Sequence, residues 1–154
     1  MKETDGLDMI DLSRFDRSKF TNVPHEQRVE KPWGFEIILT PPNLPYTAKI
    51  IHLNRGHRLS LQVHDKKIET VTLVSGEAFL LIDGQDGEIE KIIMELRKGY
   101  TAQIGQRHRV AAVTDSEIFE ASTQEIGTTY RLDDDYSRGH ETEEIRRKER
   151  RKKE

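Results

Sequence analysis

Short apolar runs alternate with turn-forming residues through the middle of the chain, and this rhythm limits the possible folds more than any other feature. The runs FEIILT, YTAKIIHL, AFLLI, IEKIIMEL, HRVAAV and EIFEAS are separated by PPNLP, NRG, DGQDG, RKG and TDS. Short runs bounded by Gly, Pro, Asn and Asp are typical of β-strands, and few of them approach the length of an average helix. We therefore predict an all-β domain of about eight or nine strands, arranged as a sandwich or barrel.

One stretch, residues 56–76 (GHRLSLQVHDKKIETVTLVSG), carries side chains that suit a divalent metal ion. Successive side chains of a strand point to opposite faces, so Gln62 and His64 share one face. After the polar DKK break, Glu69 begins a second strand, and its carboxylate meets the same point if that strand folds back beside the first. A lone histidine in a strand is more often structural, and Glu69 alone could be a rim charge. The joint arrangement favours a metal site.

The spacing of these residues resembles the first motif of the cupins. It reads G-x5-Q-x-H-x4-E-x6-G from Gly56 to Gly76, with glutamine where many cupins carry their first histidine. A later segment, GYTAQIGQRHRV, resembles the second cupin motif through Gly99, Gly105 and His108. The resemblance implies that His108 is a fourth ligand. It also implies that the all-β domain is a double-stranded β-helix, or jelly-roll barrel.

Gln, His, Glu and His form the ligand set of the mannose-6-phosphate isomerases, and other parts of the chain are similar to this family. KPWGFE (residues 31–36) and EASTQEIGTTYRLDDDYSR (120–138) resemble the start and the end of their cupin domain. The resemblance covers roughly residues 29–139. Two positions depart from the family pattern, because Gln103 replaces a proline and Ala112 replaces an asparagine. These departures concern turn chemistry rather than the ligands.

The resemblance implies a metal-dependent isomerase that interconverts a phosphorylated aldose and ketose, such as mannose 6-phosphate and fructose 6-phosphate. It favours zinc, although the ligand types also suit iron, manganese, nickel or cobalt. An ion with four protein ligands keeps one or two positions for the C1 carbonyl and C2 hydroxyl of a sugar. Such an ion polarises the carbonyl as a Lewis acid.

Three cationic residues are carried over by position as donors to a sugar phosphate, which guanidinium groups bind well. Lys66 and Arg138 are expected to bind the substrate, and Arg131 is taken as the catalytic cation. The alternatives are a solvated turn lysine at Lys66 and an ion pair with a neighbouring aspartate at each arginine. The sequence does not identify a general base. His57 and Glu120 are weak candidates that we expect to be surface or structural groups.

The length of 154 residues predicts a single domain, and the composition indicates that both ends of the chain are polar. Residues 1–28 predict an arm that lays a few apolar side chains on the barrel or on a neighbouring subunit, with disorder as the second choice. Residues 29–139 form the predicted cupin domain. Residues 140–154 (HETEEIRRKERRKKE) predict a short, solvated, charged helix, because acids precede bases as the helix dipole favours.

Charge and cysteine content restrict the expected partners and compartment. The net charge of −3 gives no global attraction to nucleic acid or to an anionic membrane. The sequence lacks cysteine, which excludes disulfides and thiolate ligands and fits a reducing compartment. The N-terminus has no basic region followed by an apolar run, so we expect neither a signal peptide nor a membrane span. A cytoplasmic homodimer that binds a small sugar phosphate is the resulting prediction.

Two other functions remain open at this stage. The first is a non-catalytic cupin module that binds a sugar or regulates a partner enzyme, since one fold hosts many functions. The absence of the nucleotidyltransferase half found in two-domain mannose enzymes favours this alternative. The second, a lesser one, is a metal-dependent oxygenase.

Overall fold

The computed structural model describes residues 10–151, which form eleven β-strands, one α-helix and two short 3-10 helices. Residues 1–9 of the predicted arm and 152–154 of the predicted tail lie outside this part. The strands are β1 Gln27–Lys31, β2 Gly34–Ile38, β3 Tyr46–Leu53, β4 Leu61–His64, β5 Glu69–Ser75, β6 Ala78–Asp83, β7 Ile89–Ile93, β8 Gly99–Ala102, β9 His108–Ala112, β10 Ser116–Thr123 and β11 Thr129–Asp133. The helices are Leu12–Arg14 and Arg17–Lys19 (3-10) and α1, Glu143–Arg151.

The strands form two antiparallel sheets that enclose one core. The six-stranded sheet has the order β1-β2-β3-β10-β5-β8, and the five-stranded sheet has the order β11-β4-β9-β6-β7. Strands distant in sequence are neighbours, since β10 lies between β3 and β5 and β9 lies between β4 and β6. This interleaving defines a double-stranded β-helix. It confirms the predicted all-β jelly roll without a long internal helix, and none of the described helices is long and apolar enough to cross a membrane.

The barrel interior is apolar at one end and charged at the other. Leu53, Leu73, Leu80, Val110 and Ile118 are at most 2% exposed and pack between the sheets. They come from five different strands whose inward positions alternate with outward ones. Farther along β3, β5 and β10, the inward side chains are the charged residues Lys49, Glu69 and Glu120. The candidate functional residues lie at this charged end.

The connection between β4 and β5 differs from the expectation. β4 belongs to the five-stranded sheet and β5 to the six-stranded sheet, so the second strand does not fold back beside the first. The loop between them crosses the barrel mouth, and Glu69 therefore approaches His64 from the opposite wall. Gly76 ends the stretch at a turn, as predicted, with a φ of +90°. Any Cβ there would collide with the main chain of Asp115.

Among the strands that the sequence rhythm does not reveal are two polar ones. β1 (QRVEK) and β11 (TYRLD) each lie at the edge of a sheet. Most of their residues are polar or exposed, because an edge strand shares less surface with the core. The alternation of apolar and polar residues that marks a strand is therefore weak in both.

The C-terminal helix α1 forms as predicted, but its inner side is docked rather than solvated. Arg146 is 6% exposed and donates hydrogen bonds to Glu141 Oε1 (2.9 Å) and to the carbonyl of Glu125 (3.1 Å). Arg150 Nη2 donates to Glu125 Oε1 at 2.7 Å. Arginines rather than apolar residues hold the inner side of α1, so the sequence shows no apolar face that would indicate docking. The expectation of a solvated helix was wrong for this reason.

Acid should weaken the docking of α1. Burial alone would raise the pKa of Glu141, but Lys31 and Arg146 outweigh it and lower the pKa to about 2. A carboxyl group whose pKa is lowered by folding stabilises the folded protein fully at pH values above its pKa in the unfolded chain, 4.5. This stabilisation is lost as the pH falls toward the folded-state pKa of about 2. When fully ionised, Glu141 contributes roughly 3 kcal/mol to the free energy of unfolding. We expect the stability advantage of wild type over Glu141→Gln, measured by urea unfolding, to shrink by about 2 kcal/mol between pH 6 and pH 3.

Glu144→Gln is the matched control, because Glu144 lies on the exposed side of α1. Its stability relative to wild type should be nearly the same at both pH values. An equal pH response of the two variants would contradict the assigned role of Glu141.

Candidate metal centre

Three side chains from three strands converge at the charged end of the barrel. His64 ends β4, Glu69 begins β5 and His108 begins β9. All three are buried, and one ligand atom of each lies within 4.8 Å of the others. Glu69 Oε1 lies 2.6 Å from His108 Nε2 and 3.4 Å from His64 Nε2. The two imidazoles belong to one sheet and the carboxylate to the other.

Hydrogen bonds on the far side of each imidazole orient the ring. His108 Nδ1 lies 2.8 Å from the carbonyl oxygen of Gln106, and because a carbonyl only accepts, this nitrogen carries the proton. In the neutral ring that a metal ion requires, Nε2 would then hold the lone pair, directed at the centre. His64 Nδ1 lies 2.9 Å from Thr129 Oγ1. Bonds of this kind fix the orientation and tautomer of metal-binding histidines.

The second oxygen of Glu69 is a buried acceptor without a hydrogen bond. Lys67 Nζ lies 3.1 Å from Oε2, but it does not approach in the direction of a hydrogen bond, so their contact is electrostatic. Leaving a buried acceptor without a donor is unfavourable, and a cation bound at the carboxylate removes this deficit. Two imidazoles and a carboxylate are a donor set that divalent transition metals accept. The residues thus fit a metal ion.

The protonation states at the centre also suit a metal, which binds neutral imidazole and ionised carboxylate. Burial lowers the pKa of His64, so this ring is neutral near pH 7. Burial alone would raise the pKa of Glu69. The ammonium group of Lys67 and the two imidazoles outweigh it and lower that pKa well below its usual value.

Gln62 lies on the same face of β4 as His64, as strand alternation predicts. It pairs with His108 across β4 and β9 and lines the cavity above the three converging residues. Its Oε1 accepts a hydrogen bond from Ser60 Oγ at 3.2 Å. The arrangement places an amide oxygen at the cavity wall beside the centre. Its role as fourth ligand stays a prediction.

Two charged side chains, Lys67 and Glu120, lie beside the centre. Lys67 Nζ lies 3.4 Å from Glu120 Oε2, and both side chains are buried in the cavity. Burial and the neighbouring Glu69 carboxylate raise the pKa of Glu120 well above its usual range. Burial alone would lower the pKa of Lys67, but Glu120 and Glu69 outweigh it and raise this pKa. The cavity therefore presents a carboxyl group with a raised pKa and an ammonium group beside Glu69.

Glu120 was expected to be a surface or structural group, whereas it is 4% exposed inside the cavity. The alternation of β10 contains the signal, because Ser116, Ile118, Glu120 and Ser122 are its buried positions. His57, the other candidate base, is bonded to the hydroxyl of Tyr136 at 2.7 Å and is not among the residues that line this cavity.

Lys49 continues the chain of buried charges away from the centre. Its Nζ lies 3.7 Å from Glu120 Oε2 and 3.3 Å from a carboxylate oxygen of both Glu36 and Glu125. Glu125 in turn accepts from Arg150 of α1. Alternating charges thus connect the centre to the C-terminal helix.

The predicted substrate-binding cations lie in different environments. Arg131 and Arg138 line the cavity, but Arg131 pairs with Glu141 at 3.1 Å and Arg138 pairs with Asp134 at 2.9 Å. Burial and the charge of Arg138 lower the pKa of Arg131. Lys66 is exposed and is not among the lining residues, which include the next residue of the chain, Lys67. The cavity is lined by Lys31, Trp33, Glu36, Lys49, Ile51, Leu59, Ser60, Gln62, His64, Lys67, Glu120, Glu125, Thr129, Arg131, Arg138 and Glu141.

Comparison with known proteins identifies the fold through structure rather than sequence. No protein-family profile and no curated protein matches the chain. An oxalate decarboxylase variant from Bacillus subtilis superimposes with a TM-score of 0.59 at 15% identity, covering 71% of this chain and 31% of the decarboxylase. KdgF from Halomonas sp. gives 0.52 at 16% identity, covering 65% of this chain and 86% of KdgF.

CapF, a capsular polysaccharide assembling protein from Staphylococcus aureus, gives a TM-score of 0.51 at 12% identity, covering 82% of this chain and 34% of CapF. The chain thus spans about a third of the length of the oxalate decarboxylase and CapF chains that it matches. Identities this low establish the fold alone. The protein has the cupin fold, with a group of three residues in its barrel that could hold a metal ion.

Proposed function

We propose that this protein is a metal-dependent enzyme that interconverts an aldose and a ketose bearing a phosphate group. The observation that carries the proposal is the convergence of His64, Glu69 and His108 beside a cavity that His64 lines together with five cationic side chains and four glutamates. Two of the five cations, Arg131 and Arg138, are guanidinium groups, which suit a phosphate group on the sugar. The sequence resemblance to mannose-6-phosphate isomerases supports the same assignment.

His64, Glu69 and His108 would hold the ion, with Gln62 as the fourth ligand. When bound, the ion supplies Lewis-acid polarisation of the sugar carbonyl. Zinc remains the first choice, and iron, manganese, nickel and cobalt suit the same donors. Mn(II) centres occur in the oxalate decarboxylase of Bacillus subtilis, a protein of the same fold.

Isomerisation also needs a group that moves a proton between C1 and C2 within hydrogen-bond reach of the substrate. We assign this role to Glu120, which lies in the cavity and is joined to the ligand Glu69 through Lys67. Lys67 takes the place of Lys66 as the lysine that orients the substrate, because its ammonium group is in the cavity. Its charge would stabilise an oxyanion at C1 or C2.

Arg131 and Arg138 are assigned to the phosphate group. Both guanidinium groups line the cavity, and guanidinium matches phosphate in geometry and charge. A bound phosphate would share these cations with their present partners, Glu141 and Asp134. Arg131 would thus have two roles: it would bind the phosphate group, and it pairs with Glu141, which precedes α1.

A second function, a non-catalytic sugar-binding module, is favoured by one specific observation. Arg131 and Arg138 both already have carboxylate partners, and Lys49 has three carboxylates within 4 Å. A neutral sugar could bind without disturbing these pairs. CapF, which shares the fold, is a capsular polysaccharide assembling protein.

Deuterium exchange separates the two functions. The purified protein, loaded with zinc, manganese or cobalt, should catalyse exchange of the C2 proton of a hexose or pentose phosphate in heavy water, followed by NMR. Chelation should stop the exchange and fresh divalent metal should restore it. Metal binding without exchange for any tested sugar phosphate would favour the binding module.

Glu120→Gln should slow this exchange by about 10²- to 10⁴-fold, the usual contribution of general acid–base catalysis. The amide keeps the size of the carboxyl group but cannot transfer the proton. Bound metal per chain should be unchanged, which separates loss of proton transfer from loss of the centre. Glu117→Gln, on the outer face of the same strand, is the matched control and should exchange at the wild-type rate. Full activity in Glu120→Gln would exclude the assigned role.

A further inference from the structure

The outer face of the six-stranded sheet carries an apolar surface that residues 10–151 leave partly exposed, with the side chains of Arg28 and His52 against the ring of Phe35. Five side chains form this surface, which we call the sheet-face patch: Phe35, Ile37, Ile50, Val74 and Phe119. They belong to four adjacent strands, where Ile50 pairs with both Ile37 and Phe119. Their inward neighbours fill the core, so the patch is the other side of the same strands. An apolar patch of this kind commonly marks an interaction surface.

The arm before β1 carries apolar side chains that the described residues, 10–151, leave about half or more exposed. Phe20 and Val23 are 68% and 71% exposed, and Ile10, Leu12 and Phe15 are about half exposed. The exposure of all five shows that the arm leaves its own barrel uncovered. The chain therefore presents two apolar surfaces, the arm and the sheet-face patch, that remain apart within one copy.

The arm contains a five-residue repeat that places its two phenylalanines in equivalent positions. The sequence DLSRFDRSKF, residues 11–20, is two units of Asp-x-Ser-(Arg or Lys)-Phe. In each unit the aspartate accepts a hydrogen bond from the main-chain nitrogen of the serine, at 3.0 Å for Asp11 and 2.9 Å for Asp16. Each phenylalanine then ends a 3-10 turn. The repeat presents Phe15 and Phe20 from one ordered segment, as a binding element would.

The geometry allows the arm to reach a sheet-face patch. The arm enters β1, the edge strand of the sheet that carries the patch. Strands are about 4.8 Å apart, so the four steps from β1 to β5 cover roughly 20 Å. With residues 12–14 and 17–19 kept as 3-10 turns, residues 10–23 could still reach roughly 35–40 Å. An arm that leaves one barrel can therefore cross the whole patch of an adjacent copy.

We infer that the protein forms a twofold dimer in which the arm of each copy lies on the sheet-face patch of the other. A twofold interface uses every contact twice, so both arms and both patches are covered together. An aromatic side chain buries roughly 150–250 Å² when fully covered. Each arm carries five partly exposed apolar side chains. Two arms and the two patches that they cover can thus bury a total accessible surface on the order of 1,500 Å², within the range of a specific interface. The inference gives the expected homodimer a defined contact surface.

Light scattering tests the association. Wild type should have twice the mass of the 17.9 kDa chain at micromolar concentration. Phe15→Ser/Phe20→Ser should raise the dimer dissociation constant by at least 100-fold and give a monomer, with an unchanged circular dichroism spectrum. Ile93→Ser, an exposed isoleucine on the other sheet, is the control and should remain dimeric. A monomeric wild type, or a dimer that persists in the double variant, would overturn the inference.

Cysteine cross-linking tests which copy receives the arm, because the natural chain has no cysteine. Phe20→Cys and Val74→Cys proteins, mixed and oxidised, should give a disulfide-linked pair between copies. The doubly substituted chain, Phe20→Cys/Val74→Cys, should also cross-link between copies. A disulfide within a single copy would show that the arm folds onto its own barrel and would refute the exchange.

Discussion

Replacing His64 or His108 by alanine should abolish stoichiometric metal binding and leave the barrel folded. Each histidine supplies one of three converging ligand atoms, and the apolar core lies at the other end of the barrel. We expect the affinity for zinc or manganese to fall by more than the roughly 10- to 100-fold that follows loss of a hydrogen-bond partner behind a ligand. Metal content after reconstitution and desalting, with circular dichroism for the fold, measures both.

Variants with smaller expected losses of metal affinity test the same centre. Thr129→Ala removes the partner of His64 Nδ1 and should weaken binding by about 10- to 100-fold. Gln62→Ala should have a smaller effect than either histidine, because a neutral amide is the weakest donor of the predicted set and water can replace it. His25→Ala, an exposed histidine before β1, should bind metal as wild type does. Wild type that takes up no divalent ion would refute the centre itself.

Removing the charge of Lys49 should destabilise the protein by about 3–5 kcal/mol, the usual loss when one partner of a buried ion pair is deleted. Burial alone would lower the pKa of Lys49, but Glu120, Glu125 and Glu36 outweigh it and raise the pKa well above its usual value. Lys49→Met keeps most of the aliphatic volume and leaves these carboxylates with less compensation. Urea unfolding at pH 7 measures the loss.

Lys66→Met is the matched control, because Lys66 is exposed and should lose less than about 0.5 kcal/mol. Lys49→Met/Glu36→Gln should recover part of the loss, since the second change removes one uncompensated carboxylate. Equal unfolding midpoints for Lys49→Met and Lys66→Met would show that the buried charges do not depend on Lys49.

Much of the fold could be predicted because turn residues mark the ends of strands that face the core. β3, β5, β6 and β10 alternate between buried and less buried positions over most of their length, and the sequence reflects that alternation. The pairing of strands could not be derived in the same way. β4 and β5 are adjacent in sequence, yet their partners are β9 and β11 for β4 and β8 and β10 for β5, because the chain passes from one sheet to the other between them.

The converging residues were predicted from spacing, whereas the buried charges around them were not. His64, Glu69 and His108 belong to motifs whose residue types suggest a ligand. Glu120 occupies an inward position of β10, so strand alternation signals its burial, whereas the burial of Lys67, in the loop before β5, follows only from tertiary structure. The five-residue repeat of the arm can be seen in the sequence. Its role as a binding element can be inferred only when the structure also shows the sheet-face patch.

The position of the three converging residues has a mechanical consequence. His64 and His108 belong to the five-stranded sheet, and Glu69 belongs to the six-stranded sheet. An ion held by all three would form a cross-link between the two walls of the barrel, in addition to the loops, the side-chain packing and the contact between Glu69 and His108 that join them. Separation of the walls at this end would then require a ligand to dissociate. Opening of the cavity and release of the ion would be one motion, so a bound ion would also set how widely the cavity can open.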